Sequence, residues 1–177
     1  LIKNTLSADE LDQMDKRLTE QFFGEEKFKV GSKVRGDEGL GVESSEEQKV
    51  SRLVWNLINK GDCFLKLIDH PKILPLIQHI IGERVCLCSM GAHMNGSGNE
   101  RMALHQDQWP LVPHPMDFAF MANVMYLISD NSEENGGTRL IPGSHKWPTL
   151  DYKTANSEEI QKKAVSLNAP KGTAIVW

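Results

Sequence analysis

The stretch FAFMANVMYLISDNSEENGGTRLIPGSHKW, residues 118 to 147, decides the fold class. Its apolar run, Phe118 to Ile128, suits a strand buried on both faces. An acidic turn follows at 129 to 137 with Asn135-Gly136 at its tip, a pair that supplies the positive φ a tight reversal needs. TRLIP then reads as a short strand and PGSH as a second tight turn. Strand, reversal and strand in this order predict an antiparallel sheet.

Working outward, RVCLCSM (84 to 90) and Met102 to Asp107 are strand candidates separated by the turn-forming NGSGN at 95 to 99. A short helix near Ser157 to Lys163 precedes VSLNAPKGTAIVW, read as two strands around Pro170 and Gly172. Toward the amino terminus the period changes to helical. Ser7 and Glu10 make a capping box, and Leu11, Met14, Leu18 and Phe22 recur at helical spacing. Val50, Leu53, Val54 and Leu57 predict a second helix ended by Gly61, and Pro71 to Ile81 a third closed by Gly82. The segment Lys27 to Ser45, Gly-rich and charged, reads as a loop and a candidate lid. The expectation is a single α+β domain over 1–177, helical over about 1–82, with a mainly β core of barrel or jelly-roll type over about 83–177.

Bulk properties narrow the function classes. The 177 residues are 40% hydrophobic and 25% charged, ordinary for a globular domain. A net charge of −4 and no dense Lys/Arg cluster argue against a nucleic-acid partner. The longest apolar run is too short to span a bilayer and no signal-peptide pattern opens the chain, so a cytoplasmic protein without a membrane partner is expected. Cys63, Cys86 and Cys88 lack disulfide or zinc spacing and read as small buried hydrophobes.

The chemistry concentrates in LHQDQWP, residues 104 to 110. His105 and Asp107 stand at i and i+2, so on a strand both point to one face. An imidazole and a carboxylate converging there, joined by another histidine, would form the facial triad that holds non-haem Fe(II) and leaves positions open. The same spacing serves a surface ion pair equally well. By spacing alone His145 would complete such a set.

The run HQDQWP, the apolar FAFMANVMYLI, DNSEENGGTRLIPGSHKW and PKGTAIVW together resemble the core of the phytanoyl-CoA dioxygenase family. KNTLSADELDQM and LIDHPKILPLIQHIIG resemble that family's leading helices, so the likeness spans nearly the whole chain. It implies a double-stranded β-helix, a cupin-like jelly roll, with helices packed on it. It also implies an Fe(II)- and 2-oxoglutarate-dependent dioxygenase that uses O2 to hydroxylate a small-molecule substrate and releases succinate and CO2. His105 and Asp107 match the family's first two iron ligands, and Asn123 the position beside 2-oxoglutarate. The PGSH histidine, His145, matches no ligand and remains the alternative. The distal histidine and the arginine that pairs with 2-oxoglutarate normally follow the strand matching GTAIVW, and are expected after Trp177 with further strand. Related halogenases carry a small residue in place of this aspartate, so Asp107 implies hydroxylation.

Two rival functions use the same residues. One is a catalytically inactive or non-redox binding module on the same barrel; the other is a zinc hydrolase built from His105, Asp107 and His145. Substrate is not fixed by family. Trp109, Tyr126, Met94, Met102, Met121 and Met125 are candidate pocket residues, and Lys27 to Ser45 with His145 to Lys163 candidate lids.

Overall fold

A computed structural model of the chain describes residues 1–28, 30, 32–35, 50–95, 102–107, 118–148 and 150–177. It opens on α1 (Ala8–Phe28), whose capping box forms as its sequence dictates. The Ser7 N–H donates to Glu10 Oε2 at 2.8 Å, and the Glu10 N–H to Ser7 Oγ at 3.3 Å. These bonds from Ser7 hold the Glu10 carboxyl below its ordinary pKa. Leu11, Met14, Leu18 and Phe22 all lie on the buried face. They pack with Val54, Leu57, Phe64 and Leu67 into the larger of two apolar clusters.

The second predicted helix is a strand. β1 (Ser32–Arg35) pairs antiparallel with β2 (Val50–Trp55), and β2 with β3 (Gly91–Met94). Leu53 and Val54 are both buried although strand neighbours face opposite sides. Burial on both faces erases the alternation of a half-buried strand, and the surviving apolar spacing imitates a helix. A short 3-10 turn, Leu57–Asn59, and α2 (Asp62–Leu65) follow. The boundary near residue 82 therefore shifts: part of the sheet structure lies in the stretch expected to be helical, and β1 occupies part of the expected loop. Residues 36–45 of that candidate lid lie outside the described residues.

α3 (Leu74–Ile81) begins after the Pro71–Ile73 turn and closes at Gly82, as its punctuation predicts. Arg84–Met90 is not a strand; no ladder lies against it among the described residues, and the strand comes immediately after, at β3. Cys86 and Cys88 are exposed rather than buried as a result, and Cys63 is half-buried.

The carboxy-terminal half carries two small antiparallel sheets. β4 (Val124–Tyr126) pairs with β7 (Ala174–Val176), and β5 (Arg139–Leu140) with β6 (Val165–Ser166). The strand expected across Phe118 to Ile128 is confined to β4, half-buried on both faces. The 129–137 reversal forms and is wired internally: Asn135 Oδ1 accepts from the Ser132 N–H, and the Gly137 N–H donates to the Ser132 carbonyl. Gly137 is required there, since a Cβ would fall 2.6 Å from the Ser132 carbonyl oxygen. Between β5 and β6 come a 3-10 turn, Ser144–Lys146, then α4 (Tyr152–Ala155) and α5 (Glu158–Gln161), so the second candidate lid is partly helical. The architecture is mixed helix and antiparallel sheet, and among the described residues the sheets do not close into a barrel. No helix among the described residues is long and apolar enough to cross a membrane.

Phe64, only 1% exposed, belongs to the larger cluster with the buried face of α1 and with Val54 of β2. Phe64→Ala is expected to destabilise the fold by about 3–5 kcal/mol, read as a lower urea midpoint. A shift within the error of the midpoint would show that this cluster does not bear on stability.

Candidate functional site

The strand expected over Met102 to Asp107 is not formed: the segment has no regular ladder among the described residues, Asp107 stands in a turn, and a side chain holds the backbone where a neighbouring strand would. Asn156, in the turn between α4 and α5, accepts the Leu104 N–H at 2.9 Å and donates to the Leu104 carbonyl at 3.5 Å. Ala103 is buried beside it. Pinned on this side, the segment presents His105 and Asp107 together, as their spacing predicts. His105 Nε2 stands 3.4 Å from Asp107 Oδ1, with side chains 52% and 37% exposed, open enough to admit an ion.

The tautomer of His105 follows from its other contact. Nδ1 lies 2.9 Å from the Ala103 carbonyl oxygen. A carbonyl only accepts, so Nδ1 carries a proton and donates it, leaving Nε2 for Asp107, a further proton or a metal.

The second oxygen of Asp107 is occupied by donors from the β4–β7 sheet. Asn123 Nδ2 donates to Oδ2 at 2.6 Å, and Trp177 Nε1 donates to the same oxygen at 3.3 Å. Asn123 and Trp177 face each other across the ladder and exchange both backbone hydrogen bonds, at 2.8 and 3.1 Å. Side chains of directly opposed residues share a face, which is why both reach one carboxylate. Asn123, expected beside 2-oxoglutarate, thus has its amide on Asp107. Trp177 was not singled out from the sequence. The signal was available in the antiparallel match of MANVMY with TAIVW, which sets the indole opposite the lone amide.

These contacts set the ionisation of the pair. The hydrogen bond to Asp107 raises the His105 imidazole to about 8, against partial burial that opposes it. Asp107 is lowered, first by His105 and further by Trp177 and Asn123. An imidazole raised above its ordinary 6.5 contributes stability in full below that pH and loses it as pH rises through about 8.

The other candidates stand apart. His145 lies exposed in the Ser144–Lys146 turn. Among the described residues no group of three or more His, Cys, Asp or Glu side chains is placed to hold a metal, so His145 does not complete a set with His105 and Asp107. The zinc hydrolase thereby loses its third ligand. Tyr126 donates its hydroxyl to the Leu67 carbonyl at 2.9 Å, and burial pushes its pKa up to about 12, a packing role. Trp109 lies outside the described residues. Met94 and Met102 are exposed, whereas Met125 packs against the smaller cluster of Leu127, Ala169 and Ile175.

Asp107→Asn removes the anion that raises His105. Its titration midpoint in the metal-free protein, followed by NMR, is expected to fall from about 8 to 6.5 or below; a midpoint unmoved from about 8 would place the cause elsewhere.

The chain is 30% identical over 110 residues to "Dioxygenase af480" of Aspergillus fumigatus, covering 62% of this chain and 35% of that protein. It is 28% identical over 116 residues to a "Probable alpha-ketoglutarate-dependent hypophosphite dioxygenase" of Stutzerimonas stutzeri, covering 66% and 40%. To "Dioxygenase sphC" of Aspergillus fumigatus it is 25% identical over 158 residues, covering 84% and 42%. The matches thus span well under two thirds of these curated relatives' length. No solved structure matches the chain. The family model described as Phytanoyl-CoA dioxygenase (PhyH) matches residues 1–177. With a match over its whole length, the chain belongs to the phytanoyl-CoA dioxygenase family.

Proposed function

We propose that this chain is an Fe(II)- and 2-oxoglutarate-dependent dioxygenase that hydroxylates a small-molecule substrate and converts 2-oxoglutarate to succinate and CO2. One observation carries the proposal. With the Nδ1–H of His105 committed to the Ala103 carbonyl, the Nε2 lone pair and Asp107 Oδ1 stand 3.4 Å apart. Two acceptors at that distance repel unless a proton or a cation lies between them. Neighbouring donors of an octahedral divalent ion, each about 2.1 Å from it, stand about 3 Å apart, close to the spacing here. A mixed nitrogen and oxygen pair also suits ferrous iron. The residues therefore fit the metal that the family implies, held through His105 Nε2 and Asp107 Oδ1. The second imidazole of a facial triad is not among the described residues.

When bound, the iron supplies O2 activation for oxidation of an unactivated C–H bond. The chain's own residues do the orienting. The Ala103 carbonyl keeps the imidazole in the tautomer whose Nε2 is free to ligate, and the Asn156 amide fixes the backbone of the segment that carries it. An aspartate at position 107, in place of the small residue of related halogenases, supports hydroxylation as the outcome. The double-stranded β-helix belongs to the same proposal, supported by the family match and by the antiparallel β4–β7 pairing. A cytoplasmic setting without a membrane partner belongs to the same proposal, and the net charge of −4 supports the lack of a nucleic-acid partner.

With Fe(II), ascorbate and 2-oxoglutarate, the protein is expected to release succinate above the iron-free rate, and Asp107→Ala to abolish that release. Equal turnover in the variant would remove Asp107 from the ligand set. A second reading, a non-redox binding module, is favoured by the lack of a third ligand among the described residues. Anaerobic addition of Fe(II) and 2-oxoglutarate separates the two, because the chelate gives a weak visible absorption that a binding module would not produce.

A further inference from the structure

We infer that Asn123 and Trp177 are positioning residues that restrict Asp107 to ligation through a single oxygen. The inference rests on the proposed function. A carboxylate oxygen offers two lone-pair sites. On Asp107 Oδ2 both are filled, one by Asn123 Nδ2 at 2.6 Å and one by Trp177 Nε1 at 3.3 Å. Oδ1 alone faces His105 Nε2. A metal held by this pair therefore takes one oxygen from Asp107, and the carboxylate cannot rotate a second oxygen onto it without breaking two hydrogen bonds. What the clamp preserves is a coordination position, and a co-substrate that binds through two oxygens needs it.

The clamp is built into the sheet. Asn123 and Trp177 are joined by two backbone hydrogen bonds at the rung next to the β4–β7 ladder, so both donors start from one fixed pair of backbone positions. The carboxylate belongs to a different segment, held from its other side by Asn156. Two separately anchored elements thus meet at one oxygen, which sets its orientation more tightly than a single mobile donor would.

Asn123→Leu conserves shape and removes the stronger donor; Trp177→Phe keeps the ring and removes only the N–H, which guards against misfolding. The first readout needs no metal. The indole N–H resonance of Trp177, assigned by its loss in Trp177→Phe, is expected to shift and to exchange faster with solvent in Asp107→Ala. The second uses Co(II) as the probe under anaerobic conditions. In either donor variant the visible Co(II) band is expected to change before any co-substrate is added. Affinity of the Co(II) protein for 2-oxoglutarate is expected to fall by about 10-fold or more, with Co(II) itself still taken up. An indole resonance indifferent to Asp107→Ala overturns the clamp. An unchanged Co(II) band with weakened 2-oxoglutarate binding also overturns it, since Asn123 would then be acting on the co-substrate directly. Failure of the unmutated protein to take up Co(II) overturns the proposed function, and the single-oxygen assignment with it.

Discussion

The pairing of β4 with β7 is the constraint on which the site depends. Three rungs, Val124 with Val176, Met125 with Ile175 and Tyr126 with Ala174, place Asn123 and Trp177 opposite each other at the next position. Ile175 anchors the pair in the cluster with Leu127 and Ala169, the apolar contribution on this side of the molecule. On its other edge β7 is covered by the amino-terminal residues. Ile2 bridges to Ala174, and the Thr5 and Leu6 N–H groups both donate to the Gly172 carbonyl. Gly172, at φ +81°, is the residue that permits so close an approach, because a Cβ there would stand 3.0 Å from the Leu6 carbonyl oxygen.

Where sequence periodicity coincided with one-sided burial, the elements were legible. α1 is the clear case: cap and four core residues follow from its pattern, because one face meets the core and the other meets water, although the helix runs on through Lys27 and Phe28, which read as loop. The 129–137 reversal was legible through Asn135 and the glycines, whose local chemistry does not wait on tertiary structure. β2 was not, because burial on both of its sides replaced alternation with a helix-like spacing. Arg84–Met90 has the composition of a strand, yet composition does not supply a partner, and β3 forms one step later where β2 is available to pair.

The site divides along the same line. His105 and Asp107 could be read directly because their relation is local, two residues apart in one short segment. Their supports come from far along the chain, Asn156 for the backbone and Trp177 for the carboxylate, and such contacts depend on register between distant segments. Asn123 was legible as a lone amide in an apolar run that would need a partner. Which partner it found, the Asp107 carboxylate, depended on the fold.

The covering of β7 by the first residues bears on the order in which the molecule assembles. Positions near 2 and near 174 must meet before that sheet is flanked on both sides, and contacts between such remote parts of a chain are slow to find because the intervening loop must first be closed. Helix α1 can form from neighbours alone, whereas the indole that reaches Asp107 must come from 70 positions along the chain. The clamp on the Asp107 carboxylate thus takes its final form after the local elements, once its separate segments have met.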